Sequence, residues 1–313
     1  MDDFLVGVLS NIAIISFVAL SAYVLLLAGE VSFGQQAFFG LGAYAAGMGT
    51  AMLGWPLVPA LGLGALVGAL TAAAVGGATL RLTGFYFAMA TLAFAEMVRI
   101  LFELLVFQVD VGGTLVGPNG PDGFGDIRYL FANEITPAQY MVAVYVLLAV
   151  VLALFAIIER SRFGRMLRQA GTDTLLAELQ GISVVRVRLV AAAASGALAG
   201  LGGGLYAHLL TYVEPGNFNI MLGVHSLAYG LIGGLGTALG PVLGVLIDIG
   251  LLESVRFLAG YRMIVFGGLV AVLLIVRPRG LLDERAVHWL TSRIKERVDA
   301  VAARRLDGSL RRR

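Results

Sequence analysis

Apolar runs of about 20 residues recur along this chain between positions 5 and 276, separated by short polar or glycine-rich connectors. A run of that length can cross a hydrocarbon core of about 30 Å. Inside a bilayer the backbone must satisfy its own hydrogen bonds, so such runs are expected to fold as α-helices. The fold class read from this pattern is all-α, a polytopic transmembrane helical bundle. Composition agrees: 59% of the 313 residues are hydrophobic and 13% are charged, unlike any soluble domain. Glycine fills 42 positions, about twice its usual share of roughly 7%. Interleaved with Ala, Ser and Thr, these small residues let helices approach one another closely.

Loop charge orients the chain, because Arg and Lys are retained on the cytoplasmic side. Residues 159–188 carry six Arg against three acids, and residues 277–313 carry ten Arg and one Lys against five acids, so both belong inside. Residues 107–138 carry Asp110, Asp122, Asp126 and Glu134 against Arg128 alone and belong outside. With these anchors the spans fall at about 5–27, 37–53, 57–80, 85–107, 139–158, 187–210, 221–235, 241–258 and 263–276. The expectation is 8–10 spans, with the N-terminus outside and the C-terminus cytoplasmic. The 221–235 stretch is rich enough in glycine to be a broken or re-entrant segment. Asp2 and Asp3 stand where a secretory signal would carry positive charge, so the first run reads as a retained span.

Several chemistries are excluded. With no cysteine there is no disulfide, thiolate metal site or cysteine nucleophile, and the three histidines form no ligand cluster. No G-x-x-x-x-G-K-[ST] loop is present to cradle nucleotide phosphates, so energy for any uphill step must come from another chain or an ion gradient. No cofactor, catalytic residue or nucleic-acid partner is expected.

The polar insert at 159–183, ERSRFGRMLRQAGTDTLLAELQGIS, is too short for a domain and long enough for a helical stub at the membrane surface. Thr172 or Asp173 can cap a helix over 174–180, and Gly181 is a natural residue just past its end. Arg160, Arg162, Arg165 and Arg168 hold the insert inside, or face an acidic partner surface or lipid phosphates.

Within the apolar runs the polar residues are few. Glu96, Arg99 and Glu103 are spaced i, i+3 and i, i+4, so they share one stripe and can pair. The stripe reads either as a polar element beside a pathway or as a self-neutralised seam that docks this helix on its neighbours. Ser32, Gln35 and Gln36 lie among Gly29, Gly34, Gly40 and Gly42, where a helix can break and expose backbone donors to a polar solute. Residues 230–244, with Gly233 and Gly234, have the same texture and suggest an inverted repeat. His225 and Tyr229 read as interfacial or packing residues. Residues 283–313 place Val287, Leu290, Ile294, Val298 and Val301 at helical spacing among charges, which describes an amphipathic tail on the inner membrane face.

Four motifs in order then carry a resemblance: GEVSFGQQAFFGLGAY at 29–44, TGFYFAMATLAFAEMVR at 83–99, the polar insert running into SGALAGLGGGLYAHLLTYVEPGNF at 195–218, and SLAYGLIGGLGTALGPVLG at 226–244 followed by RPRGLL at 277–282. The chain resembles LivM-like permease subunits of the branched-chain amino acid ABC transporters, departing from the usual pattern at Gln35-Gln36 and at 171–174. The resemblance implies a permease domain over 1–282 and a pore in the bacterial inner membrane. The implied partners are a second permease subunit, two cytoplasmic ATPase subunits, an extracytoplasmic substrate-binding protein and membrane lipid. It implies an ATPase-coupling loop at 159–186, with Arg160, Gly164, Arg165, Arg168, Thr174, Glu178 and Gly181 as contact residues. Pathway candidates are Ser32, Gly34, Gln35, Gln36, Glu96, Arg99, Gly233 and Gly234. Branched-chain or other small neutral amino acids are the implied cargo, with urea or short amides as the alternative. A secondary carrier using Glu96 or Asp248, or a channel for a small neutral solute, would leave the 159–183 stub without a role.

Overall fold

The computed structural model describes residues 3–79, 82, 84–111, 113–252, 262–277 and 280–282. Twelve helices occur among them. They are α1 (Asp3–Leu27), α2 (Gln35–Ala51), α3 (Leu57–Ala78), α4 (Phe85–Leu104), α5 (Tyr129–Ala132) and α6 (Pro137–Arg160), followed by α7 (Arg162–Thr172), α8 (Thr174–Leu179), α9 (Val184–Leu210), α10 (Ile220–Gly233), α11 (Leu239–Val245) and α12 (Arg262–Val276). α1, α3, α4, α6 and α9 are long and apolar enough to cross a membrane, and 220–233, 239–250 and 263–273 are shorter apolar helical stretches. The amphipathic-tail expectation for 283–313 lies outside the described residues.

The helices assemble around α1 and α9. Two thirds of the apolar window of α1, 67%, is buried, against 22% for α6, so α1 is central and α6 peripheral. α3 meets α9 along glycines: Gly64 and Gly68 face Gly200 and Gly196, and a Cβ on Gly64 would sit 2.8 Å from the Gly42 carbonyl of α2. Three backbones share that seam only because no side chain intervenes. At the end that carries residues 105–136, called here the acidic end, Tyr44 stacks on Phe102 with centroids 4.1 Å apart, with Phe218 edgewise and Phe124 tilted against Tyr44. Backbone bonds between Phe124 and Val213, 2.7 and 2.9 Å, tie the two loops of this end together.

Several boundaries differ from the sequence expectation for local reasons. α4 stops at Leu104, not near 107, because the chain turns extended to bridge Val106 to Asn119. It then forms a two-stranded ribbon, β1 (Val109–Val111) with β2 (Thr114–Val116), pairing Val109 with Val116. α2 begins at Gln35, two residues early, behind a non-helical stretch over 30–34. The stub is two helices, α7 and α8, where one was expected. α10 runs from Ile220, two residues past Phe218 of the acidic-end aromatic cluster, to the opposite, basic end, where α6 meets α7, in 14 residues. That is about 20 Å at 1.5 Å per residue. α11 then returns and continues as a π-helical stretch, Leu246–Leu252; the rest of the run expected to 258 lies outside the described residues.

Candidate functional site

At the basic end, α6 is broken at Ser161, whose extended backbone ends one helix and whose hydroxyl accepts from Gly164 N–H at 3.3 Å to start the next. α7 buries Gly164, Leu167 and Ala170, an i, i+3, i+6 stripe that seats it on the bundle while Arg162 and Arg165 stay exposed. Asp173 accepts from Leu176 N–H at 3.0 Å to cap α8. Gly181, at φ +80°, closes it through the expected positive-φ turn, with Ile182 N–H bonded to Ala177 at 3.0 Å. Gly29 at the end of α1 touches Gly171 so closely that a Cβ on Gly29 would lie 2.8 Å from the Gly171 carbonyl. The insert is therefore a stiff, anchored pair of helices.

Arg168 and Glu159 join this stub to the membrane-spanning part. The Arg168 guanidinium donates to the carbonyls of Leu235 (3.2 Å) and Gly236 (3.0 Å), in the turn between α10 and α11. Glu159 Oε1 accepts from Tyr23 Oη of α1 (2.6 Å) and from Ala238 N–H beyond the same turn (3.0 Å), with Arg168 at 3.9 Å. Gly236 N–H bonds to the Leu282 carbonyl at 3.1 Å, and Leu282 N–H to the Gly233 carbonyl at 2.8 Å. α1, α6, α7, the α10–α11 turn and the RPRGLL segment thus meet at one place. Beside it, Glu30 in the α1–α2 connector pairs with Arg188 of α9 at 2.9 Å. Burial raises the Glu30 carboxyl above its ordinary pKa, and the Arg188 guanidinium partly reverses this. A polar cleft of about 470 Å³ opens here, lined by Gly29, Glu30, Gly171, Thr172, Asp173 and Arg188.

The predicted residues divide among several places. Of the expected contact residues, Arg160, Arg165, Thr174 and Glu178 are exposed on the stub, Gly164 and Gly181 shape it, and Arg168 turns inward. Gly233 and Gly234 form the turn that Arg168 grips; Gly233 packs on Gly240, and Gly234 has φ +94°. At the start of α2, Ser32 accepts from Gly34 N–H at 3.1 Å, and Phe33 N–H donates to Thr91 Oγ1 of α4 at 3.1 Å. Thr91 is six residues past Phe85, so α2 opens about 9 Å in from the start of α4. Gln35 and Gln36 are buried there, and the Gln35 amide has no hydrogen-bond partner among the described residues. Glu96, Arg99 and Glu103 pair as their spacing predicts, Arg99 Nε to Glu96 at 2.8 Å and Arg99 Nη1 to Glu103. They form no hydrogen bond or ion pair with Ser32, Gln35 or Gln36 among the described residues.

One polar cluster escaped the sequence reading. Asp248, fully buried on the π-helical stretch, accepts from Tyr229 Oη at 2.8 Å, with His225 Nδ1 at 4.0 Å and Phe266 of α12 against both rings. His225 and Tyr229 are thus packing residues of α10 that also hold an acid. The i, i+4 spacing of His225 and Tyr229 was visible; their meeting with Asp248 depends on the α10–α11 hairpin.

These features define a class: a helical membrane protein whose surface stub is locked to a glycine-rich turn between its spans. The family described as "Branched-chain amino acid transport system / permease component" matches over residues 4–276, and the chain belongs to it. The chain is 30% identical over 279 residues to the LivM protein of Salmonella typhimurium, named a high-affinity branched-chain amino acid transport system permease protein. That match covers 82% of this chain and 64% of the relative, and the Escherichia coli K12 LivM is 29% identical over the same extent. The chain thus spans somewhat less than two thirds of the length of these relatives. The Escherichia coli K12 LivH permease protein is 30% identical over 161 residues, 50% of this chain and 51% of the relative. No solved structure matches the chain significantly.

Proposed function

We propose that this chain is a permease subunit of an ATP-binding-cassette importer for branched-chain or other small neutral amino acids. It forms the pore with a second permease subunit. Two cytoplasmic ATPases drive the pair, and an extracytoplasmic binding protein supplies the substrate. Family membership and the printed names of the LivM and LivH relatives support the transport class. Within this reading residues 1–282 are the permease domain, 159–186 the coupling loop and 283–313 a cytoplasmic tail. The basic stub and tail face the cytoplasm, and the acidic 107–138 loop and the N-terminus face outward, in a bacterial inner membrane.

The observation that carries the mechanism is the grip of Arg168 and Glu159 on the 235–238 turn. An ATPase that seats in the cleft beside Asp173 and Arg188 and moves α7–α8 as a body moves that turn with it. Strain then passes to α10 and α11 and, through Tyr23, to α1. Ser32, Gln35 and Gln36 at the start of α2 are buried in this structure, and are the uncharged polar groups that an opening there would offer to a solute at depth.

The test is deletion of 174–180 in the assembled transporter, reconstituted with its ATPases. The expected result is a subunit that inserts and assembles, with ATP hydrolysis retained and uptake lost. Normal uptake by the deletion refutes the coupling role. Purification of the wild-type chain without ATPase subunits refutes the class.

A further inference from the structure

Arg99, Glu96 and Glu103 sit on a membrane-spanning helix, yet their side chains are 24%, 39% and 39% exposed. All the hydrogen bonds and ion pairs they make among the described residues lie within α4. A seam that docks α4 on its own chain would bury them against another helix, and it does not. At about 100° per residue, Leu92, Glu96, Arg99 and Glu103 fall within about 60° of one another, beside the buried stripe of Thr91, Ala95, Val98 and Phe102. Glu96 and Arg99 lie about 16 and 21 Å along a helix about 30 Å long, well inside the hydrocarbon zone.

The other outer faces show what lipid contact looks like in this fold. α6 exposes Val142, Val146, Val150, Leu154 and Ile157, and α3 exposes Val58, Leu66 and Leu70, with no ionised side chain before Glu159 and Arg160 at the basic end of α6. Ionised groups turned toward acyl chains at mid-span are strongly disfavoured even as the Glu96–Arg99 pair, and Glu103, about 27 Å along, adds a second carboxylate toward the acidic end. The remaining intramembrane acid of the described spans, Asp248, is fully buried.

We infer that this flank of α4 is the seam for the second permease subunit, and that Glu96, Arg99 and Glu103 look into a water-filled path between the two subunits. Water solvates the half-exposed ion pairs, and the partner subunit excludes lipid from the flank. The inference rests on the proposed two-permease reading. It assigns the pore wall to the charged flank of α4 and the lipid surface to the apolar faces of α3 and α6.

Because the chain has no cysteine, an introduced thiol is the only one on this subunit, and labelling is read on this subunit's own band. Leu92→Cys, on the same flank and outside the ion triad, is compared with Val146→Cys on α6 in the complete transporter in native membranes. A charged methanethiosulfonate reacts with the thiolate, which forms only in water. The expected result is labelling of Leu92→Cys at least tenfold faster than Val146→Cys. A benzophenone carried on the Leu92→Cys thiol is expected to join the second permease subunit, whereas one on Val146→Cys joins lipid. Met89→Cys, further round the same side, serves if Leu92→Cys does not assemble. Equal, slow labelling of both positions, or lipid as the product at Leu92→Cys, overturns the seam while leaving the transport reading intact. A complex that contains no second permease overturns both.

Discussion

Replacing Arg168 with Ala removes two hydrogen bonds from a charged donor to the Leu235 and Gly236 carbonyls, at 3.2 and 3.0 Å. Bonds of this kind contribute about 1.5 kcal/mol each at the low end, about 3 kcal/mol together. The side chain is 26% exposed, so water recovers part of this, and about 2 kcal/mol is the loss expected at the stub-to-turn junction. If that junction transmits the power stroke, about 2 kcal/mol corresponds to a roughly 30-fold fall in uptake per ATP hydrolysed. Arg168→Lys keeps the charge but cannot fork to two carbonyls, and falls between wild type and Arg168→Ala. The control is Arg128→Ala, which loses only an exposed ion pair to Asp126 at 2.6 Å, away from the stub, and stays within twofold of wild type. The assay is substrate uptake and ATP hydrolysis in the same proteoliposomes, with thermal unfolding of each variant to separate uncoupling from misfolding. Arg168→Ala uptake within twofold of wild type would refute the reasoning, as would an Arg128→Ala defect of equal size.

Further outcomes are expected. Gly181→Asn, tolerated at positive φ, preserves coupling, whereas Gly181→Val strains the α8 turn by about 1–2 kcal/mol and lowers uptake at unchanged expression; equal uptake by the two variants would count against a rigid stub. Gly200→Leu drives a side chain into the Gly64–Gly68 backbone and prevents a monodisperse subunit on gel filtration, since the close seam has no room to relax; a monodisperse product contradicts that packing. Asp248→Asn keeps an acceptor for Tyr229 and costs less thermal stability than Asp248→Ala, which removes that buried 2.8 Å bond at about 1–3 kcal/mol. The reverse order of melting temperatures would show that Asp248 is held by its charge rather than by that bond.

Much of the architecture was visible in the sequence because hydropathy, charge and helix capping are local properties. The runs that became α1, α3, α6 and α9 are near their expected ends, and the 174–180 helix with its Asp173 cap and Gly181 terminator formed as the side chains require. α7 was missed because its buried stripe includes glycine and alanine, which give little hydropathy signal among three arginines. The early end of α4 was missed because a bridge to Asn119, fifteen residues beyond Leu104, decides it. Arg168 read as one more inward-retaining charge, since its partners are backbone carbonyls 67 and 68 residues away.

The sequence alone determined that this chain spans a membrane as helices, that Glu96 and Glu103 pair with Arg99, and that a stiff polar stub interrupts the spans. Each follows from interactions within a few residues of one another. Only the tertiary structure decided that the stub holds the α10–α11 turn, that Asp248 meets Tyr229 and His225, and that the α4 ion triad stays half-exposed on the flank of its own bundle. Those outcomes depend on which backbones can close to contact across the glycine seams of α2, α3 and α9, and on the hairpin of α10 with α11, which no local pattern encodes.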